Sequence, residues 1–280
     1  MKVFISVDME GITALTDPED VLPDGMDYAR GRKMMTGDAN AAIQGAFDAG
    51  ATEVIVNDSH WIMRNLLIEH LDPRAKLIKG FHKPMCMLQG VDETIDAAVF
   101  VGYHACAGTE GGVLAHTLLG KEVHNLLLNG QPIGETRLNA LLAGYFGVPV
   151  AFVAGDDAVC REAKSVLGAD LPTYAVKDGI DMFSALCLHP EVTTAGIREG
   201  VANSLRDISA REPYRMDGEL TFGFEYSTTT IASTCEYIPG VRKSTPRTTE
   251  FATTDMPKAM KMIFAQLLLA LQVGQKGIYS

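Results

Sequence analysis

MKVFISVDMEG, residues 1–11, is an apolar run that ends in two carboxylates and a glycine. Lys2 to Val7 is short, apolar and rich in β-branched residues, which predicts a buried strand. Asp8 and Glu10 follow directly, and side chains two residues apart on a strand share one face, about 6 to 7 Å apart. Two buried carboxylates this close repel each other unless a positive charge lies between them. The stretch therefore indicates a metal ion at the end of the first strand.

The first part of the chain alternates apolar segments with helical ones. Strands are predicted at 53–56, 95–102, 148–153 and 173–176, and helices at 27–49, 135–145 and 161–167. Continuous apolar strands between helices are typical of a mostly parallel α/β sheet that is covered by helices on both faces. Asn129-Gly130 is a hairpin signal that follows an extended segment.

The pattern changes near Met182, where one long helix is followed by separate strands. The helix is predicted at 191–208, the strands at 220–226 and 248–253, and a closing helix at 256–273, with the Thr-rich segment Thr228–Thr230 interpreted as strand and turn. We expect an α/β metal-site domain over residues 1–180 and a smaller C-terminal α+β lobe over residues 181–280.

Composition narrows the classes of partner. The chain has 280 residues, a net charge of −11 and 47% apolar residues, which is typical of a globular protein that binds neither nucleic acid nor a membrane. Five cysteines without CxxC spacing indicate neither a disulfide framework nor a thiolate zinc site, so we expect a cytoplasmic protein. Direct entry into the first strand predicts no signal peptide.

The candidate site follows from where the strands end. The first strand ends in Asp8 and Glu10, the second in His60 and the third in His104, and strand carboxyl ends form the ligand crevice of open α/β sheets. Glu135 begins a helix and is a plausible fifth member, although the helix dipole alone would also favour an acid there. Carboxylate and imidazole without cysteine suit zinc, with manganese as second choice.

The number of candidate ligands is compatible with two zinc ions. Two catalytic zinc ions need about three protein ligands each, and five residues make six contacts if one carboxylate bridges. Asp8 is the best candidate for that bridge. A metal pair of this kind activates water and polarises a carbonyl group, which is the chemistry of amide hydrolysis.

These residues lie within six short motifs in the first 157 residues. The motifs are SVDMEG (Ser6–Gly11), NDSH (Asn57–His60), GYHA (Gly102–Ala105), AHT (Ala115–Thr117), GET (Gly134–Thr136) and AGDD (Ala154–Asp157). Their identity and order resemble the zinc-dependent D-aminopeptidases encoded with bacterial dipeptide transporters. The resemblance continues to about residue 180 and is weaker beyond it.

The resemblance implies a role for each matching residue. It places the ligands of two zinc ions per subunit on Asp8, Glu10, His60, His104 and Glu135, and the catalytic histidine on His116. It also implies short peptide substrates with a free amino terminus, often D-alanyl, and a ring-shaped homo-oligomer. We interpret His116 as a proton-transfer group or transition-state donor, with direct nucleophilic attack as the alternative.

Several alternatives stay open at this point. The same site would serve another metal-dependent amidase, a phosphohydrolase or an L-specific aminopeptidase. A non-catalytic solute-binding protein is the non-enzymatic alternative. Asp58 is either an acceptor that orients a ligand histidine or a turn residue. Asp156 and Asp157 either line the crevice or cap a helix. His124, on an apolar strand, is either structural or part of the active site.

Overall fold

The predicted first strand is an inner strand of a seven-stranded sheet in this computed structural model, which describes residues 1–274. The sheet has the order β3-β2-β1-β4-β7-β8-β9, and all neighbouring strands are parallel except the last pair. Its strands are β1 (Lys2–Val7), β2 (Glu53–Asp58), β3 (Lys76–Ile78), β4 (Ala97–Tyr103), β7 (Val150–Asp156), β8 (Thr173–Asp181) and β9 (Ser184–Cys187).

A second, antiparallel sheet has five strands in the order β11-β12-β10-β5-β6. These are β5 (Val123–Leu128), β6 (Gln131–Ile133), β10 (Leu220–Tyr226), β11 (Arg242–Thr245) and β12 (Thr248–Thr253). Asn129 and Gly130 both have positive φ, as a tight turn between β5 and β6 requires, so the hairpin prediction is confirmed.

Seven α-helices cover the sheets in the described part of the chain. They are α1 (Pro18–Val21), α2 (Tyr28–Asp48), α3 (Glu135–Tyr145), α4 (Asp157–Leu167), α5 (Pro190–Arg206), α6 (Thr229–Cys235) and α7 (Met256–Gly274). The predicted α/β class with a mostly parallel sheet is confirmed. Helix α6 corrects the interpretation of the Thr-rich segment, because the Thr228 side chain caps the helix by accepting from the Ile231 amide.

Alternate residues of β1 face two different apolar cores. Val3, Ile5 and Val7 belong to the core that also contains Ile43 of α2 and Val201 of α5. Phe4 faces the other core, which includes residues of α3, α7 and the antiparallel sheet. Since both faces of β1 are covered, the apolar run needs no polar face, which explains its continuous hydrophobicity.

The two sheets draw on both halves of the sequence. Strands β5 and β6 precede residue 180 but belong to the antiparallel sheet, whereas α5 follows residue 180 and packs on α2 beside the parallel sheet. The division of the chain at residue 180 stays a prediction. Among residues 1–274, no helix combines the length and the apolar character that crossing a bilayer requires.

The register of the parallel strands aligns the segments that follow them. Val7 is level with Asp58 of β2 and Val101 of β4. Hydrogen bonding continues past the strands, because the Asp8 amide donates to the Val101 carbonyl at 2.8 Å. The residues that follow β1, β2 and β4 therefore start from one edge of the sheet.

Close backbone packing at this edge depends on glycine. The Gly11 amide donates to the Gly102 carbonyl at 2.8 Å, and a Cβ on Gly11 would lie 1.9 Å from the Tyr103 carbonyl oxygen. Gly102 itself has a φ of +71°. Larger residues at either position would push apart the strand ends that carry Asp8 and His104.

Candidate metal centre

The six predicted site residues line one cavity of about 930 Å³. They are Asp8 and Glu10 after β1, His60 after β2, His104 after β4, Glu135 at the start of α3, and His116 on the loop before β5. The first five are each at most 5% exposed, and the side chain of His116 is 22% exposed. The structure therefore brings together every residue that the strand-end argument and the motifs selected.

Asp8 lies between the two most buried imidazoles. Its Oδ1 is 3.3 Å from His60 Nδ1, and its Oδ2 is 3.5 Å from His104 Nε2. His60 Nδ1 is also 3.0 Å from Glu10 Oε2, and His104 Nε2 is 3.5 Å from Glu135 Oε1. The site thus consists of two groups of donors that share the Asp8 carboxylate.

Each of the three imidazoles has one nitrogen beside a backbone carbonyl and the other facing carboxylate oxygens. The carbonyl acceptors are Val21 at 3.0 Å from His60 Nε2, Ala105 at 3.1 Å from His104 Nδ1, and Leu114 at 2.8 Å from His116 Nδ1. Donation of one N–H to a carbonyl fixes the tautomer and leaves the second nitrogen free as a ligand or a base. The second nitrogen of His116, Nε2, is 3.9 Å from Glu10 Oε1.

Burial and the neighbouring charges both shift the pKa values of these side chains. Desolvation, and then the charge of Glu10, raise the pKa of Asp8 to about 7. Desolvation also acts to raise the pKa of Glu10, but the charge of His60 and its hydrogen bond hold that pKa well below its ordinary value. Desolvation opposes protonation of His60 and His104, yet the surrounding carboxylates raise both pKa values well above the ordinary one. The chain's own residues therefore form an acidic cluster that attracts positive charge.

The donor set fits a pair of divalent cations. Asp8, Glu10 and His60 form one group of donor atoms within 4.8 Å of one another, and Asp8, His104 and Glu135 form a second. Glu10, His104 and His116 form a third. Oxygen and imidazole donors without thiolate suit zinc, and three protein ligands per ion leave a coordination position open.

The loop that carries His116 is constrained on both sides. Leu114 and Leu118 have φ values of 52° and 65°, a left-handed backbone that is uncommon for leucine. The Leu118 amide donates to Glu135 Oε1 at 2.7 Å. The ring of His116 stacks on that of His104 with centroids 4.2 Å apart, and burial, then the charge of His104, lower the pKa of His116. Strain of this kind is concentrated at functional sites.

Lys177 of β8 supports the loop after β1 and was missed by the sequence analysis. Its Nζ donates to the carbonyl oxygens of Glu10 at 2.6 Å, Ile12 at 2.9 Å and Leu15. The side chain is 1% exposed, and desolvation lowers its pKa to about 8. A lysine directly after the apolar segment Tyr174–Val176 was the available signal, since buried lysines need specific partners.

Asp58, the last residue of β2, fits neither of its two interpretations, because its carboxylate bonds to a segment seven and eight residues further along the chain. Its carboxylate accepts from the Asn65 amide at 2.6 Å, the Leu66 amide at 2.7 Å and Asn65 Nδ2 at 2.8 Å. Asn65 Nδ2 also donates to the His60 carbonyl at 2.7 Å. Asp58 therefore orders the chain after His60 without a hydrogen bond to the imidazole ring.

Asp156 and Asp157 both accept hydrogen bonds from backbone amides. Asp156 caps α4 by accepting from the Val159 amide at 2.9 Å, and it also accepts from the Val113 amide at 2.8 Å. Asp157 accepts from the Gly179 amide at 2.8 Å. His124 lines the cavity on its exposed side, with Nδ1 3.5 Å from an Arg247 guanidinium nitrogen.

Comparison with known proteins agrees with this geometry. The family model described as D-aminopeptidase, Peptidase_M55, matches residues 1–265. A curated D-aminopeptidase of Bacillus subtilis (strain 168) is 38% identical over 275 residues, which cover 98% of this chain and 99% of the relative.

The likeness extends to three dimensions. The solved structure of the Zn-dependent D-aminopeptidase DppA from Bacillus subtilis, described as a self-compartmentalizing protease, superposes with a TM-score of 0.93 at 38% identity. The match covers 97% of this chain and 98% of that structure. The resemblance drawn from the six motifs is confirmed: this chain belongs to the D-aminopeptidase family of peptidases.

Proposed function

We propose that the protein is a zinc-dependent aminopeptidase that removes the N-terminal residue from short D-amino-acid peptides. The observation that carries this proposal is the Asp8 carboxylate, which is shared by two groups of buried carboxylate and imidazole donors. D-specificity is proposed from the family and from the activity of the Bacillus subtilis relatives.

Two zinc ions per subunit would be held by the two donor groups. Asp8, Glu10 and His60 make up one group, and Asp8, His104 and Glu135 make up the other. Bound zinc would supply a Lewis acid for the scissile carbonyl and a water of lowered pKa. All five residues are nearly completely buried, which limits the contact of their side chains with bulk water.

His116 is the proposed proton-transfer residue. Leu114 accepts from its Nδ1–H, which leaves the Nε2 atom facing the cavity edge where Glu10 lies. An imidazole held in this orientation takes a proton at Nε2 and delivers it to the departing amine. The ring stacks on that of His104, and residues with left-handed backbone, Leu114 and Leu118, lie on both sides of His116.

A ring-shaped homo-oligomer in the cytoplasm is the proposed working form. The hairpin formed by β8 and β9, the last two strands in the order of the seven-stranded sheet, exposes large apolar side chains. They include Ile180 at 71%, Phe183 at 53% and Leu186 at 65%. Exposed apolar clusters of this kind mark interaction surfaces. All five cysteines are free thiols, which supports a reducing compartment.

The test is release of D-alanine from D-Ala-D-Ala by purified protein, before and after removal of metal with a chelator. We expect hydrolysis that is lost with the metal and restored by zinc at two equivalents per chain. L-Ala-L-Ala is the stereochemical control. Faster hydrolysis of the L-dipeptide would contradict D-specificity, and activity that survives metal removal would contradict a metal-dependent mechanism.

A further inference from the structure

Beyond the metal centre, the cavity is strongly apolar. Among its described lining residues outside the six-residue site, the side chains with a formal charge are the neighbours Lys121 and Glu122. Most of the remaining wall is made of large apolar side chains: Trp61, Ile62, Phe81, Leu118, Phe264 and Leu268. A volume of about 930 Å³ is much more than two alanyl residues would fill.

Trp61 directly follows the proposed ligand His60 and is the single tryptophan of the chain. Its φ is 45°, a strained conformation for a bulky residue, and the residue is 40% exposed. A large aromatic ring held partly in solvent at the expense of backbone strain is a sign of a binding role.

A second part of the wall is an aromatic cluster, whose loop is joined to the segment after Trp61 by a hydrogen bond from the Gly80 amide to the Met63 carbonyl at 2.6 Å. Phe81 and Phe264 have ring centroids 5.7 Å apart, and the His82 ring is 5.4 Å from Phe81 and 6.2 Å from Phe264. Phe81 remains 44% exposed despite these contacts. The cluster joins the loop after β3 to helix α7, and Phe81 and Phe264 both line the cavity.

We propose that this wall, defined by Trp61, Phe81 and Phe264, is a subsite for a large apolar side chain of the peptide substrate. The inference rests on the proposed peptidase function, because only a peptide bound at the metal centre would place a side chain here. A leucyl side chain would bury more of this apolar surface than an alanyl methyl group, and each additional buried methylene group contributes about 0.8 kcal/mol.

The test compares three dipeptides on one enzyme preparation: D-Ala-D-Ala, D-Leu-D-Ala and D-Ala-D-Leu. We expect kcat/KM for at least one leucyl dipeptide to exceed that for D-Ala-D-Ala by about 10- to 50-fold, the value of a few buried methylene groups. The leucyl position that gives the preference identifies which substrate residue occupies the subsite. A ratio of one or less for both leucyl dipeptides overturns the proposal.

Two wall variants and a matched control complete the experiment. Trp61→Ala and Phe264→Ala are each made, and Tyr237→Ala serves as the control, since Tyr237 is 80% exposed and lies outside the cavity lining. The preference should fall toward one in at least one wall variant and persist in the control. Because the readout is a ratio of two substrates, a loss of folded enzyme cancels.

The outcomes separate the subsite from the proposed function. An unchanged preference in both wall variants assigns the selectivity elsewhere and overturns the subsite. Hydrolysis of D-Ala-D-Ala without a leucyl preference also overturns the subsite and leaves the function intact. Failure to hydrolyse any of the three dipeptides, with zinc bound, overturns both.

Discussion

Two buried polar clusters of this protein differ in how the energetic cost of burying polar groups is compensated. In the antiparallel sheet, Tyr226 donates its hydroxyl hydrogen to Gln266 Oε1 at 3.0 Å, and the Thr249 hydroxyl donates to the same oxygen at 2.7 Å. All three residues are 0% exposed, and all are neutral. At the carboxyl ends of the parallel strands, by contrast, Asp8 and Glu10 are carboxylic acids that are only 3% and 5% exposed.

This difference indicates which of the two clusters contributes to the stability of the fold. A neutral cluster whose members form hydrogen bonds with one another contributes to stability and needs no bound ligand. A cluster of carboxylates that repel one another is costly to bury, and its cost is recovered only through a bound cation. Mutations of the carboxylate cluster should therefore affect function, and mutations of the neutral cluster should affect stability.

The largest effect is expected for Asp8→Asn, which keeps the shape but removes the carboxylate shared by both donor groups. We expect no measurable hydrolysis and a lower zinc content by elemental analysis. Stability of the metal-free protein should stay the same or rise, because the charge repulsion with Glu10 is gone. Wild-type zinc content in this variant would show that Asp8 is no ligand.

His116→Ala should lower kcat/KM by about 10²- to 10⁴-fold, the usual contribution of a proton-transfer group. Zinc content should stay at the wild-type level. His124→Ala, which changes an exposed histidine of the same cavity, is the matched control and should stay near wild-type activity. Loss of zinc from His116→Ala would reassign His116 as a ligand, in the third donor group with Glu10 and His104.

Lys177→Met tests a positive charge that the chain itself supplies at the sheet edge. The variant leaves the carbonyl oxygens of Glu10, Ile12 and Leu15 without their buried donor, which should cost about 2–4 kcal/mol of unfolding free energy. Since Glu10 moves with this loop, zinc affinity should fall about 10-fold, measured by competition with a chelator. Unchanged zinc affinity at reduced stability would show that Lys177 stabilises the fold and does not contribute to zinc binding.

Tyr226→Phe should have the smallest effect, and one on stability alone. It removes one donor from a neutral cluster in which Thr249 still donates to Gln266. We expect about 1 kcal/mol lower unfolding free energy by denaturant titration, with zinc content and kcat/KM at wild-type values. An altered kcat/KM would mean that the two clusters are coupled.

The parts of the site that lie at strand ends could be predicted from sequence. Asp8, His60 and His104 each follow an apolar run, and parallel strands bring their carboxyl ends to one edge whatever the loops do. His116 and Glu135 lie on a loop and a helix start, so their placement came mainly from the family resemblance.

The parts that depend on long-range contacts could not be predicted. The Val21 carbonyl that accepts from His60 lies at the end of the short helix α1, whose position against the segment after β2 depends on packing. Lys177 is far from Glu10 in sequence, and no local pattern pairs the two. Helix α6 was hidden by its Thr-rich composition, because threonine has low helix propensity and tertiary packing of Ile231 and Cys235 decides the outcome.

The hydrogen bonds of Lys177 also bear on how the protein matures. Glu10 leaves the ribosome 167 residues before the lysine that secures its loop. During synthesis, the first strand and its acids are thus exposed for roughly ten seconds or more before that ammonium group arrives. Cofactor loading is accordingly expected only after translation has passed β8, and chains truncated before Lys177 should be unable to retain zinc.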